Sequence, residues 1–126
     1  MIALFVAVSV AATDPQPDCL QNPNATQGDL NDCAHQQFER ADRALNVQWR
    51  KTSDAARRTD KSTFDRLLKG QRAWLTYRSE TCGWVGDTFG GSIGPLNYYL
   101  CMAGMTEART KELESLAVNP NSGEPL

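Results

Sequence analysis

The 126-residue sequence contains a single histidine, His35, and no Cys-x-x-Cys pair. Zinc sites usually need Cys and His ligands at short spacing, whereas the cysteines here are separated by 14, 49 and 19 residues. No helical or strand spacing places a serine or a free cysteine beside His35, so no nucleophile and base pair is predicted. We therefore expect no metal site, no cofactor and no enzymatic centre.

The start of the chain has no basic residue, and Arg40 is the first Lys or Arg. Residues 1–12, MIALFVAVSVAA, are uncharged, apolar and end in small residues. This pattern predicts the hydrophobic part and cleavage site of a signal peptide, although the usual positive segment before it is lacking. A buried N-terminal helix is the alternative, but the Asp-Pro-Gln-Pro that follows disfavours it.

No second long apolar run follows, so we predict a periplasmic or secreted protein without stable membrane insertion. Charge is divided along the chain. Residues 1–39 carry five acids and no base, residues 40–72 carry ten bases and four acids, and residues 73–126 carry three bases and six acids. A nucleic-acid partner is not expected for an exported chain of pI 5.3.

Residues 13–28 contain three prolines and predict an extended lead-in. Thr26 and Asp29 resemble a capping box, and apolar residues then recur at spacings of three and four to about Ala56. A second helical pattern follows RRTDKST, where Thr or Asp can cap it. Two long amphipathic helices joined by a short connection predict an antiparallel hairpin.

The segment GWVGDTFGGSIGPL holds five glycines in fourteen residues and predicts a loop that is neither a stable helix nor an ordinary strand. A third helix is expected from about Asn97. The domain should then span residues 29–117, with a disordered tail at 118–126. The predicted fold is an all-α, antiparallel three-helix bundle with a glycine-rich loop before helix 3.

An exported chain with four cysteines predicts two disulfides. The up-down-up order brings Cys19, Cys33, Cys82 and Cys101 to one end of the bundle. Three pairings are then open. We favour Cys19 with Cys33 and Cys82 with Cys101, since each closes the nearest irregular segment, and Cys33 with Cys82 is the main alternative.

One helix face combines Trp74 and Cys82 with two polar groups, Gln71 and Arg78. A buried guanidinium needs a carboxylate, so we expect Arg78 to pair with Asp42 on helix 1. Gln71 is expected to bond Asn46 or a loop carbonyl. The predicted structural polar core thus comprises Asp42, Asn46, Gln71, Trp74 and Arg78.

The elements TQGDLNDCA, RADRALN, QRAWLTYRSETC, FGGS and, after Cys101, TEARTKEL occur in this order. Together they resemble the lysozyme inhibitor LprI-like N-terminal domain family over about residues 19–116. The resemblance implies an exported, cysteine-bearing, mainly helical bacterial protein. It also implies a protein partner, with a lysozyme as the candidate, and a role as inhibitor rather than enzyme.

Two functions are consistent with this sequence. In the first, the protein inhibits a lysozyme-type glycoside hydrolase through the glycine-rich loop, whose expected contact residues are Trp84, Asp87, Phe89, Gly90, Gly91 and Ser92. In the second, it is a cell-envelope interaction or structural module without inhibitory activity. The predicted hairpin tip would then meet an anionic polymer or lipid surface through its bases, Arg50, Lys51, Arg57, Arg58 and Lys61.

Overall fold

The first helix begins at the capping box that the sequence predicts. In the computed structural model, which describes residues 19–88, 90–119 and 121–126, helix α1 spans Gln27–Thr59. The Thr26 side chain accepts a hydrogen bond from the Asp29 backbone N–H at 3.1 Å, and the Asp29 carboxylate accepts one from the Thr26 N–H at 2.9 Å. The bond from the Thr26 N–H to the charged carboxylate is the largest cause of a lowered pKa of Asp29, and the Thr26 side chain adds to it. The predicted signal peptide lies outside the described residues.

A single residue, Asp60, separates α1 from helix α2, Lys61–Thr88. The Asp60 backbone is extended, and its N–H donates a hydrogen bond to the Ala56 carbonyl at 3.2 Å, which ends α1. Its carboxylate accepts hydrogen bonds from the Thr63 backbone N–H at 2.7 Å and from the hydroxyls of Ser62 and Thr63. Asp60 therefore ends one helix and caps the next, and these bonds lower its pKa, with the Thr63 N–H as the largest cause.

Asp60→Ala is expected to lower the melting temperature at neutral pH, because α2 loses its N-terminal cap. The folded-state pKa of Asp60 lies below the ordinary value of 3.8, so its contribution is present above that pH and disappears as the pH falls through the lower folded value. The difference in melting temperature between wild type and variant should therefore shrink below pH 3.8. A difference that stays constant down to the most acidic condition would contradict this role.

The glycine-rich segment is largely helical, so the predicted long loop is wrong. Helix α2 continues through Gly83 and Gly86 to Thr88. A 3₁₀ turn at Gly91–Ile93 leads directly into helix α3, Gly94–Leu116, which begins three residues before the predicted Asn97. Glycine weakens a helix by about 1 kcal/mol relative to alanine, and the close contact between α2 and α3 described below offsets that cost.

The three helices form the predicted up-down-up bundle. Helix α3 runs parallel to α1 in a constant register. The Asn31 amide donates to the Ser92 carbonyl at 3.4 Å, and the Thr52 hydroxyl donates to the Leu113 carbonyl at 2.8 Å, with partners 61 residues apart in both cases. Helix α2 is antiparallel to α3, because residues later in α3 contact residues earlier in α2. Cys101 is bonded to Cys82, whereas Arg109 contacts Gln71.

Small side chains dominate the packed core. The residues of α1 that lose nearly all solvent exposure are Ala34, Ala41, Leu45, Thr52, Ser53, Ala55 and Ala56, and α3 contributes Gly94, Leu96, Met102, Ala103, Thr106 and Leu113. Alanine-rich faces let helices approach closely. Helix α2, by contrast, buries only Gln71, Arg78 and Cys82, so two of its three buried side chains are polar.

Both favoured disulfides are confirmed. Cys19 is bonded to Cys33 with a Cα–Cα distance of 5.7 Å, and Cys82 to Cys101 with 5.5 Å. The first ties the lead-in to α1. The second joins the last turns of α2 to the second turn of α3, across the glycine-rich turn.

The C-terminal tail differs from the disorder that its composition predicts. The Asn119 N–H donates to the Glu124 carbonyl at 2.8 Å, and the Leu126 N–H donates to the Ala117 carbonyl at 3.1 Å. These bonds fold the described tail residues into a turn at the end of α3. Across the described ranges, none of the helices has the length and apolar character needed to cross a membrane.

Candidate functional site

Helices α2 and α3 touch without an intervening side chain at Gly86 and Gly94. A Cβ atom on Gly94 would lie 3.0 Å from the Gly86 carbonyl oxygen, and one on Gly86 would lie 3.1 Å from Cβ of Tyr98. Both distances are shorter than ordinary carbon contacts, so side chains here would force the helices apart. The two glycines therefore allow the close approach of α2 and α3 in this segment.

The turn between the helices also depends on glycine. Gly90 and Gly91 have φ angles of 32° and 65°, in the region that residues with a Cβ rarely adopt. The Gly94 N–H then donates to the Gly91 carbonyl and ends the 3₁₀ turn. The bond from the Asn31 amide to the Ser92 carbonyl attaches this turn to the start of α1.

An open groove of about 550 Å³ lies where these glycines meet two tyrosines. Among the described residues, Asp87 is its only charged lining residue. We name it the glycine groove; it is lined by Gly83, Gly86, Asp87, Gly90, Gly91, Gly94, Pro95, Tyr98 and Tyr99.

The residues predicted to contact a partner lie at or beside this groove. Asp87, in the last turn of α2, is exposed and lines the groove with Gly90 and Gly91. Trp84 is 64% exposed one turn earlier, which leaves a large apolar surface open to solvent. Ser92 is exposed in the 3₁₀ turn. Phe89 lies outside the described residues.

The groove walls pack against α1 and are joined by a disulfide. Tyr99 packs against two rings of α1, with centroid distances of 4.5 Å to His35 and 6.2 Å to Phe38. The Cys82–Cys101 disulfide links the two helices that form its walls. A surface held in this way loses little conformational freedom on binding, which favours affinity.

Arg78 lies behind the groove in a mixed polar and aromatic layer. Its Nη1 lies 3.4 Å from the Asp42 carboxylate and donates to the Thr106 hydroxyl at 3.0 Å. Its guanidinium carbon lies 5.0 Å from the Trp74 ring centroid and 5.4 Å from that of Phe38. The Arg78 side chain is 10% exposed, whereas that of Asp42 is 38% exposed, so the pair lies at the edge of the core.

Gln71 does not bond Asn46, so that part of the predicted polar core is wrong. Its Oε1 accepts a hydrogen bond from Arg109 Nε at 3.0 Å, while Asn46 is exposed on α1. Arg109 also pairs with Glu112 at 2.8 Å. The antiparallel register of α2 and α3 places Arg109 beside Gln71, a relation that spacing along one helix does not show.

The cysteine thiols and His35 each have a partner within the described residues. Both disulfides consume the thiols, so no free cysteine remains as a nucleophile. His35 lies beside Glu39 at 3.4 Å and is about half exposed. Within residues 19–88, 90–119 and 121–126, no group of three or more His, Cys, Asp or Glu side chains could hold a metal ion.

Sequence reasoning missed Tyr98, Tyr99 and Gly94 as parts of the site. A signal was present in the glycine spacing, because Gly83, Gly86 and Gly90 recur at three and four and would share one helix face. Reading that stripe as a helix-packing surface would have placed the groove between two helices.

Comparison with known proteins places this architecture in a family. The sequence model described as Lysozyme inhibitor LprI matches residues 19–113. The chain is also similar to the uncharacterized protein R02472 of Rhizobium meliloti (strain 1021), with 38% identity over 116 residues, covering 83% of this chain and 82% of that protein. No solved structure matches.

Proposed function

Because the chain belongs to the lysozyme inhibitor LprI family, we propose that it is an exported protein that inhibits a lysozyme-type glycoside hydrolase through the glycine groove and its rim. Two disulfides fit an oxidising compartment outside the cytoplasm. The partner is thus an enzyme that acts on the bacterial cell wall. The proposed role is that of a binding protein, not of an enzyme.

The main support for this proposal is the distribution of charge over the bundle. The groove end is built from residues 19–39, 83–88 and 90–100, which carry four carboxylates and no Lys or Arg. The opposite end, at the α1–α2 connection, carries Arg57, Arg58 and Lys61. Lysozymes that attack cell walls are commonly cationic, so the groove end attracts such an enzyme and the other end repels it.

The shape of the groove end supports the same assignment. Trp84 offers a large exposed ring of the kind that anchors interfaces. Gly90 and Gly91 allow close approach of the backbone, and the exposed Ser92 hydroxyl is free to bond a carboxylate. Glycoside hydrolases keep two carboxyl groups in their cleft. The proposed contact therefore comprises residues 84–94, with Trp84, Asp87 and Ser92 as its main described side chains.

A lysozyme turnover assay tests this assignment with two double variants. Trp84→Ala/Ser92→Ala should weaken inhibition by about thirtyfold, since loss of a buried interface tryptophan commonly costs about 2 kcal/mol. Arg50→Ala/Arg58→Ala is the matched control and should inhibit like wild type. Arg57 is left intact because its guanidinium lies 4.2 Å from the Phe64 ring centroid and supports the helix connection.

The opposite result would reject the groove end. If the arginine variant lost inhibition while the Trp84 and Ser92 variant stayed folded and kept it, the contact would lie at the basic end. If wild type inhibited no lysozyme, the envelope-module function would replace the inhibitor. Circular dichroism of each variant separates lost contact from lost fold.

A further inference from the structure

We propose that the glycine groove binds a cationic side chain of the partner, specifically an arginine. This inference rests on the proposed function, because it names the group that the groove end recognises on the enzyme. It concerns the cavity itself rather than the exposed tryptophan on its rim. Charge, aromatic surface and helix-end geometry each support it.

The groove carries one negative charge, which has no ion-pair partner within the described residues. Asp87 is its only charged lining residue, and it forms no ion pair within the described part of the chain. Among the described ion pairs, the one next to the groove joins His35, which contacts Tyr99, to Glu39 on the same helix, and it does not include Asp87. No Lys or Arg occurs between Arg78 and Arg109 in the sequence, so no neighbouring residue of these helices supplies a counter-charge.

The helix ends explain why a cation fits better than an anion. Asp87 is the second-last residue of α2, and a carboxylate is unfavourable there because the C-terminal carbonyls already carry negative partial charge. Helix α2 has no basic residue in its last turn. At the start of α3, Pro95 has no N–H and the Gly94 N–H is bonded to Gly91. A bound cation would meet the α2 carbonyls and Asp87, whereas an anion would find few donors.

The tyrosines specify a guanidinium over a simple ammonium. Tyr98 and Tyr99 line the groove from α3, with ring centroids 5.1 Å apart and planes at 74°. Two rings at this angle can offer a face and an edge to a bound group. A planar guanidinium stacks on such a face while its N–H groups reach a carboxylate, and a lysine ammonium cannot stack in this way.

The experiment titrates the full-length, isotope-labelled protein with a short blocked peptide, acetyl-Gly-Arg-Gly-amide, and follows backbone amide signals by NMR at low ionic strength. Saturable shifts are expected at Gly83, Gly86 and Gly94. The same peptide with citrulline, a neutral isostere of arginine, should bind about fivefold more weakly. A lysine peptide should fall between the two.

Asp87→Asn tests the carboxylate directly and should weaken arginine-peptide binding about fivefold. Glu80→Gln removes an exposed carboxylate two turns earlier on α2 and should leave binding unchanged. Equal binding of arginine and citrulline, shifts confined to another surface, an unaffected Asp87→Asn variant or no saturable shift would each overturn the proposal. Equal binding of lysine and arginine would overturn the guanidinium preference.

The peptide titration contains no lysozyme, so it separates this inference from the proposed function. Arginine binding in the groove without inhibition of any lysozyme would support the groove and reject the enzyme as partner. Inhibition of a lysozyme without arginine binding would support the proposed function and reject the groove as its cation site.

Discussion

Replacing Cys82 and Cys101 together with alanine is expected to lower the free energy of unfolding by about 3 kcal/mol, the loop-closure entropy of a disulfide that spans 19 residues. The bond joins α2 to α3 across the glycine-rich turn. Cys82 is fully buried, so its truncation also leaves space in the core. Urea unfolding of the oxidised protein measures the loss.

The Cys19→Ala/Cys33→Ala variant is the matched control. It removes a disulfide of similar separation, 14 residues, that ties the lead-in to α1 and does not connect the groove walls. Only the Cys82 and Cys101 variant is expected to change the NMR signals of Gly86 and Gly94. Equal stability of that variant and wild type, or unchanged groove signals, would contradict the bracing role of this disulfide.

Arg78→Ala is expected to cost about 3 kcal/mol of stability, because several interactions are lost together. The contact with Asp42 contributes little, since that carboxylate is 38% exposed and partly screened. The larger share comes from the hydrogen bond to the buried Thr106 and from packing against Trp74 and Phe38.

Two further variants identify the source of that loss. Arg78→Met keeps the apolar stem and should lose less stability than alanine, because only the polar contacts disappear. Arg72→Ala removes an exposed arginine of the same helix and should change stability by less than about 0.5 kcal/mol. Similar melting temperatures for all three variants would show that Arg78 is not part of a buried layer.

The helices and the disulfide pairing followed from local patterns. The Thr26 and Asp29 pair determines where α1 begins, because a capping box needs only residues three apart. The pairing of Cys82 with Cys101 followed from closing the nearest irregular segment. Both predictions rest on contacts between residues close in sequence, which a single sequence can reveal.

The glycine-rich segment was misread because intrinsic propensity was applied without the neighbouring helix. Gly86 and Gly94 each leave room for the other helix, a tertiary contact that outweighs the intrinsic cost of glycine in a helix. The partner of Gln71 was missed for the same reason. Arg109 lies 38 residues away and meets Gln71 only through the register between α2 and α3.

The candidate site was predicted in part. Trp84, Asp87, Gly90, Gly91 and Ser92 were selected from a supposed loop, and the structure brings them to one end of the bundle. The tyrosines were not selected, since their role depends on α3 beginning at Gly94. That start places Tyr98 and Tyr99 one turn into the helix, facing the glycines.

The most direct test of the account is an NMR map of the surface that a cationic lysozyme contacts on the isotope-labelled protein. We predict that unlabelled lysozyme changes amide signals at the glycine groove, around Gly83, Gly86, Gly94 and the two tyrosines. Signals from residues 50–61 should stay unchanged. Changes confined to that basic end, or no change at saturating lysozyme, would contradict the groove as the inhibitory surface.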